Sequence, residues 1–288
     1  MPNHPKTLDF DTSKSKFDFD LEVTTFKSIK PFSVNGNTPS AARHNFYVVF
    51  HITQGKGHHF VDFNQYPIAT GDTLFLDKGQ IHSFGTDESL DGILILFTEQ
   101  FLEAHGNSIS LKSIDLFNPH IHSPKIPAVT NGENLLELSC KSIYQEYLKD
   151  EVFNTEKVLR NMLELLILRG EQERKITNST TNPKSYNDFL SLKNLLEENY
   201  NKEKKVGFYA KEMGFSKKKI NDLCRAFTDF SAKQFIDHHI ILEMKRVLRT
   251  ENVTINELSW QMGFDETTNM IKYFKKHTGL TPKQFMNT

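Results

Sequence analysis

The sequence predicts an α+β chain of two domains, and three observations carry that reading. Short apolar runs divided by turn-forming residues fill the segment from His44 to Phe97. Long Leu-, Glu- and Lys-rich segments follow from Gly132, with apolar residues three and four apart. Near the C-terminus a short segment is written twice. The 288 residues suffice for two cores of ordinary size.

In chain order, FYVVFHI, HHFVDF, DTLFL and DGILILF read as strands of a barrel or sandwich, with GKG, NQYPIATGD and DKGQIHSFGTDES as the turns between them. ENLLELSCKSIYQEYLKD and TEKVLRNMLELLILRGEQERK read as an antiparallel helical hairpin. Leu135, Leu138, Ile143 and Tyr147 line one helix, and Val158, Met162, Leu165, Leu166 and Arg169 the other. Leu159, Leu163, Ile167 and Leu168 widen the second helix beyond one stripe. Two readings stay open: a wholly intramolecular core, or one face on the barrel and another in a homodimer. The expected organisation is a sensor barrel over 1–132, the hairpin over 133–175, a polar linker (ITNSTTNPKS) over 176–185 and a helical domain over 186–288.

Seven helices are expected in that last domain: Tyr186 to Tyr200, Val206 to Met213, Ser216 to Phe227, Ala232 to Arg249, Ile255 to Met262, Glu266 to His277 and Pro282 to Met286. Ser216, Asp265 and Thr281 stand where N-caps belong, and Pro282 at a first helical position.

Composition narrows the function. The longest dense apolar run, LLELLILRG, is too short to span a bilayer, and the N-terminal stretch has no apolar leader, so no membrane partner and a cytoplasmic location are expected. Cys140 and Cys224 both lie in helical patterns, which points to reduced thiols rather than a disulfide framework or a zinc site. The net charge of −1 conceals an asymmetry: 17 Lys and Arg face 23 Asp and Glu through Pro183, against 18 and 13 from Lys184 onward. A basic module on an acidic one suggests that the second half meets a polyanion.

The repeat says which polyanion. VGFYAKEM, GF, a capping Ser and KKKINDLCRAF make a helix-turn-helix, and INELSWQM, GF, a capping Asp and ETTNMIKYFKKH make another. Ile220, Leu223 and Cys224 match Met270, Tyr273 and Phe274 on the inward face. Phe215 and Phe264 plug the turns, and Gly214 and Gly263 permit the left-handed backbone there. The outward letters differ between the copies: Lys217, Lys218, Asn221, Asp222 and Arg225 in the first, and Glu266, Thr267, Thr268, Ile271, Lys272 and Lys275 in the second. Two scaffolds with different polar faces suit two stretches of double-stranded DNA, each second helix meeting base edges in a major groove. The joining helix of about 18 residues spans roughly 27 Å, near the about 34 Å between successive grooves on one face. Lys204, Lys205, Lys275, Lys276 and Lys283 would mainly contact phosphate.

GFDETTNMIKYFKKHTGLTPKQF resembles the C-terminal signature of the AraC/XylS family of bacterial transcription regulators, and the unit before it matches the same domain. The resemblance implies that Lys218, Asn221, Asp222, Thr267, Thr268, Ile271 and Lys272 face bases, that a small-molecule effector regulates the chain, that RNA polymerase is a partner, and that activation is the commoner outcome. Three residues depart from the pattern: Cys224 where the family has Phe, Asp229 where it has Gly, and Ala232 where it has Pro. They leave the first copy the less regular. Asp222, where Arg is frequent, would repel phosphate and could accept from a cytosine amine.

RHNFYVVFHITQGKGHHFVDFNQYPIATGDTLFLDKGQIHSFGTD resembles the cupin sensor of such regulators, which makes the expected barrel cupin-like. Gly71, Asp72, Gly79 and His82 match the second cupin motif, with Asp77 in place of Pro. The competing reading is a metal-dependent cupin enzyme whose helical tail is an interaction module, and a DNA-binding architectural protein without a ligand is a third. Metal catalysis needs converging ligands. His82 and His44 fit two cupin ligand positions, whereas Ala42 and Val48 occupy the others. His58 and His59 point to opposite faces of a strand. No metal, cofactor or enzymatic activity is therefore expected. Arg43, His44, Tyr47 and His82 are the candidate effector contacts, and a purely structural role for His82 stays open.

Overall fold

The computed structural model describes residues 7–28, 42–84, 89–104, 109–114, 116–119, 123–129, 132–177, 183–228 and 230–287. The chain divides into two compact units between Ser179 and Thr180. Asp229, one of the three departures, lies outside the described residues, as do 178–182 of the expected linker. Around that gap helix persists further than the polar composition suggests: one helix runs to Thr177 and the next starts at Pro183. Proline's fixed φ suits a first helical turn, where its missing N–H is not needed.

The first unit holds β1 (Thr7–Leu8), β2 (Leu21–Thr25), β3 (Ala42–His44), β4 (Tyr47–Gln54), β5 (Lys56–Val61), β6 (Asn64–Ala69), β7 (Thr73–Leu76), β8 (Ile81–Phe84), β9 (Asp91–Phe97) and β10 (Lys125–Ile126). They form two five-stranded sheets, ordered β1-β3-β8-β5-β6 and β10-β7-β4-β9-β2. The expected barrel is thus not closed: among the described residues no strand of one sheet pairs with a strand of the other. Two of these strands, β6 and β8, fall in stretches that composition marks as turns. The β5–β6 hairpin turns on Asp62 and Phe63, at φ 46° and 70°. It carries neither Asn-Gly nor Asp-Gly, the usual two-residue turn signal.

Phe46, Val48, Phe50, Ile52, Leu74, Leu76 and Leu94 form one core of this unit, with Val61 and Ile68 of the first sheet. The alternate residues of the second sheet, among them Tyr47, Val49, Phe75, Ile95 and Phe97, pack in a second core with the helices. Those helices are α1 (Glu99–Glu103), α2 (Leu135–Leu148) and α3 (Thr155–Thr177). Asn134 caps α2 by accepting the Glu137 N–H at 3.1 Å. The hairpin is antiparallel: Arg169, late in α3, reaches Leu135 O and Ser139 Oγ at the start of α2 (3.4 and 3.3 Å). On α3 the packed stripe is Leu159, Leu163, Leu166 and Ile167, and Val158, Leu165 and Leu168 are exposed. The stripe expected from spacing is therefore rotated, with Leu166 common to both.

The second unit is helical: α4 (Pro183–Asn199), α5 (Val206–Glu212), α6 (Lys217–Thr228), α7 (Ala232–Thr250), α8 (Ile255–Gln261), α9 (Thr267–Thr278) and α10 (Pro282–Met286). Ser216 caps α6, accepting from Lys219 N–H at 3.1 Å. Thr281 caps α10 in a reciprocal box with Gln284. The cap expected from Asp265 is not made: α9 starts one residue later, with Glu266 at the N-cap position and no side-chain cap. Two further boxes, Ser231 with Gln234 and Thr254 with Glu257, start α7 and α8.

Candidate nucleic-acid interface and effector site

Each helix-turn-helix is built around a glycine with positive φ, 67° at Gly214 and 63° at Gly263. At Gly214 a Cβ would meet nothing, whereas at Gly263 it would lie 1.8 Å from the Asn201 carbonyl oxygen. The second helices, α6 and α9, each contain 12 residues and start 50 positions apart. Ile220, Leu223 and Cys224 are buried in α6, and Met270 and Phe274 in α9. Tyr273 of α9 donates its hydroxyl to Asp237 Oδ1 of α7 at 2.6 Å. Burial and that hydrogen bond push its phenol pKa upward.

Of the residues expected to meet bases, Lys217, Lys218, Asp222, Arg225, Glu266, Thr268 and Lys272 are exposed. Three are half-buried instead: Asn221, Thr267 and Ile271. Asn221 Oδ1 accepts the Ala232 N–H at 3.1 Å, and Thr267 Oγ1 donates to Asn256 of α8 at 3.0 Å. Asn269, which spacing alone passed over, is exposed between Thr268 and Lys272. Its amide is of the type that pairs with adenine.

Among the expected phosphate lysines, Lys205, Lys275, Lys276 and Lys283 are exposed. Lys204 is otherwise engaged. Its ammonium donates to Gly263 O at 2.9 Å and lies 4.5 Å from the centre of the Phe264 ring. Burial lowers its pKa. This lysine braces the second turn.

In the first unit, β3, β8 and β5 are adjacent, and each contributes one histidine to a row. Ring centres of His44 and His82 are 4.5 Å apart, and those of His82 and His59 are 5.2 Å apart. Phe46 lies against His44, and Phe84 against His59. His44 Nδ1 and both ring nitrogens of His59 and His82 are buried with no hydrogen-bond partner among the described residues. Burial lowers the pKa of His44 to about 4 and of His59 to about 3, and holds His82 well below its ordinary value, so all three are neutral at pH 7. The two other candidates lie elsewhere. Tyr47 stacks on Phe97 in the core shared with the helices, and Arg43, next to His44 on a strand, faces the turn at Gly79. His51 also belongs to the helical side, where it bonds Thr73 Oγ1 at 2.9 Å. Because the histidines follow adjacent strands they form a line, and among the described residues no three His, Cys, Asp or Glu side chains converge to hold a metal ion.

Two family models match the chain, an AraC-like ligand binding domain over residues 36–132 and a helix-turn-helix domain over residues 209–288, together more than half of it. The chain belongs to the AraC family of transcription regulators. The HTH-type transcriptional activator RhaR of Mannheimia succiniciproducens is 21% identical over 253 residues, 84% of this chain and 85% of that one. The Msm operon regulatory protein of Streptococcus mutans is 24% identical over 275 residues, 93% and 92% of the two chains. The structure of ToxT from Vibrio cholerae aligns with a TM-score of 0.47 at 12% identity, over 93% of this chain and 98% of that one.

As a member of the AraC family the chain is a DNA-binding regulator with a ligand-binding domain, and not an enzyme. Among the described residues no helix is long and apolar enough to cross a membrane. Asn269 and His59 are the residues of these two faces in this AraC-family chain that sequence reasoning left off its candidate sets. His59 did carry a signal, since alternation along HHFVDF places it opposite His58, but its strand neighbours were needed to show that it meets His82.

Proposed function

We propose that the chain is an effector-responsive activator that lays α6 and α9 in successive major grooves on one face of duplex DNA. The observation that carries this reading is α7. Its 19 residues separate two units that share register and differ in their outward side chains. They span about 28 Å, close to one turn of duplex at about 34 Å. Base readout is assigned to Lys217, Lys218, Asp222 and Arg225 in the first unit, and to Glu266, Thr268, Asn269 and Lys272 in the second. Selecting bound DNA from a random pool tests this. The expected result is a bipartite motif with about one helical turn between its halves. Lys272→Ala then relaxes preference at a few positions, whereas Lys276→Ala weakens all sequences alike. Equal loss on every site for both variants would sink the assignment.

The effector is assigned to the interior between the two sheets, against the row His44, His82 and His59. Neutral imidazoles each offer one donor and one acceptor, which suits an uncharged molecule bearing hydroxyl or amide groups better than a free carboxylate. Replacing His82 with Ala in the full chain should abolish the effector response and keep DNA binding. The exposed Val158, Leu165 and Leu168 face of α3, with Leu135 and Leu138 of α2 also exposed, is assigned to a second copy of the chain. Sedimentation of a Leu165→Glu variant reads that assignment, with a monomer expected. Contact with RNA polymerase and a cytoplasmic location complete the reading.

A further inference from the structure

The two helix-turn-helix units agree beyond the recognition helices, and they part at a pair of positions that change together. Thr228 donates to Cys224 O at 2.7 Å where Thr278 donates to Phe274 O at 2.8 Å. The Phe230 N–H reaches Thr228 Oγ1 at 3.3 Å where the Leu280 N–H reaches Thr278 Oγ1 at 3.2 Å. Ser231 and Thr281, the next N-caps, have almost the same backbone, φ −66° and ψ 158° against φ −73° and ψ 157°, and each makes a box with a glutamine. Then the copies diverge. The first helical residue is Ala232 in one and Pro282 in the other, both buried.

The amides of a helix's first turn have no partner within the helix. Proline removes one of them outright. Alanine does not, and at 2% exposure Ala232 cannot turn its N–H to water. Its acceptor is Asn221 Oδ1, 3.1 Å away on α6. Fifty residues on, the position matching Asn221 holds Ile271, which has no acceptor, and the position matching Ala232 holds Pro282, which has no N–H to satisfy. The exchange is therefore paired: Asn with Ala in the first unit, Ile with Pro in the second.

We infer that Asn221 is a positioning residue that fixes the first recognition helix to the start of α7, and that it does not read a base. Bidentate recognition of adenine uses the amide oxygen and nitrogen together, and drawing the oxygen away would strand a buried N–H. The inference rests on α6 entering the groove, so the test must separate the two. Full-length Asn221→Ala, Ala232→Pro, the double variant and Asn221→Asp are compared by selection from a random DNA pool, affinity for the selected site and urea midpoint. Pro is compatible with the backbone at 232, because Ser231 is already extended as a residue before Pro must be.

N221A should lower affinity roughly fivefold or more on every sequence, with a lower urea midpoint and an unchanged motif. A232P added to N221A should restore both, because no amide is then left without a partner. N221D keeps the acceptor but not the amide donor, and should hold the midpoint and the motif. A changed base preference in N221A or N221D, or failure of A232P to restore N221A, would overturn the inference. If α6 does not enter the groove at all, K218A and R225A leave the motif untouched, which identifies failure of the underlying reading instead.

Discussion

Tyr273 on α9 donates its hydroxyl to Asp237 on α7 at 2.6 Å, so the helix that follows the first helix-turn-helix orients the second helix of the next. Asp237 is buried, takes a further bond from Lys233 of its own helix, and has His277 at 3.8 Å. Tyr273→Phe removes a hydrogen bond to a charged group. It should cost about 1.5–3 kcal/mol in urea unfolding and weaken all DNA sequences together. A change of motif with unchanged stability would mean that the hydroxyl meets DNA instead.

Lys204 and Lys276 should behave differently in salt. Lys204 is bonded to Gly263 O, and Lys276 is exposed. Lys276→Ala should reduce the slope of log affinity against log salt by about 1. Lys204→Met keeps the aliphatic stem over Phe264 and should leave the slope unchanged while lowering stability. An equal drop in slope for both would return Lys204 to the phosphate set.

The two turn glycines should differ in tolerance. Gly214→Ala meets open space and faces only the left-handed backbone, a cost of about 1–2 kcal/mol. Gly263→Ala adds a collision with Asn201 O and should disrupt the second unit. Urea unfolding of the two full-length variants separates the cases, and equal midpoints would contradict the close approach.

The ligand-binding unit should lose stability on the acid side of neutrality. His44, His51 and His59 have pKa values lowered to about 4, about 4 and about 3, and His82 lies well below normal. His51 faces Glu137, Lys141 and Asp72, and His59 and His82 face His44. In the unfolded chain they take up protons near pH 6.5, which the folded chain refuses. Stability is therefore full above that pH and falls as pH drops towards 4, by at most about 1.4 kcal/mol per pH unit for each histidine. Urea midpoints at pH 7, 6 and 5 measure the slope, and His59→Phe should make it shallower. A flat profile would argue against burial of the row.

The helix-turn-helix units were legible because their signals are local: apolar residues three and four apart, a glycine at the turn, a hydroxyl or proline at the next helix start. What sequence reasoning missed depends on neighbours across space. Spacing puts Asn221 on the outward face, but it is half-buried, and its partner lies eleven residues away on another helix. Lys204 sits in a basic stretch and finds its acceptor 59 residues on. On the sensor side β8 is four residues long and polar at its centre, too short for periodicity to separate from a turn, and with it His82 lost its strand neighbours.

β4 is buried on both sides. Val48, Phe50 and Ile52 belong to the core between the sheets, and Tyr47 and Val49 to the core of the helical layer, with His51 bonded on that same side. No cushion separates the two cores, since a single backbone is the whole thickness of the wall. A molecule that displaced Phe50 by a fraction of an ångström would move its sequence neighbours Val49 and His51 by a similar distance, because close-packed interiors transmit strain rather than absorb it. The strand makes the space proposed for the effector and the footing of the helical hairpin one mechanical object.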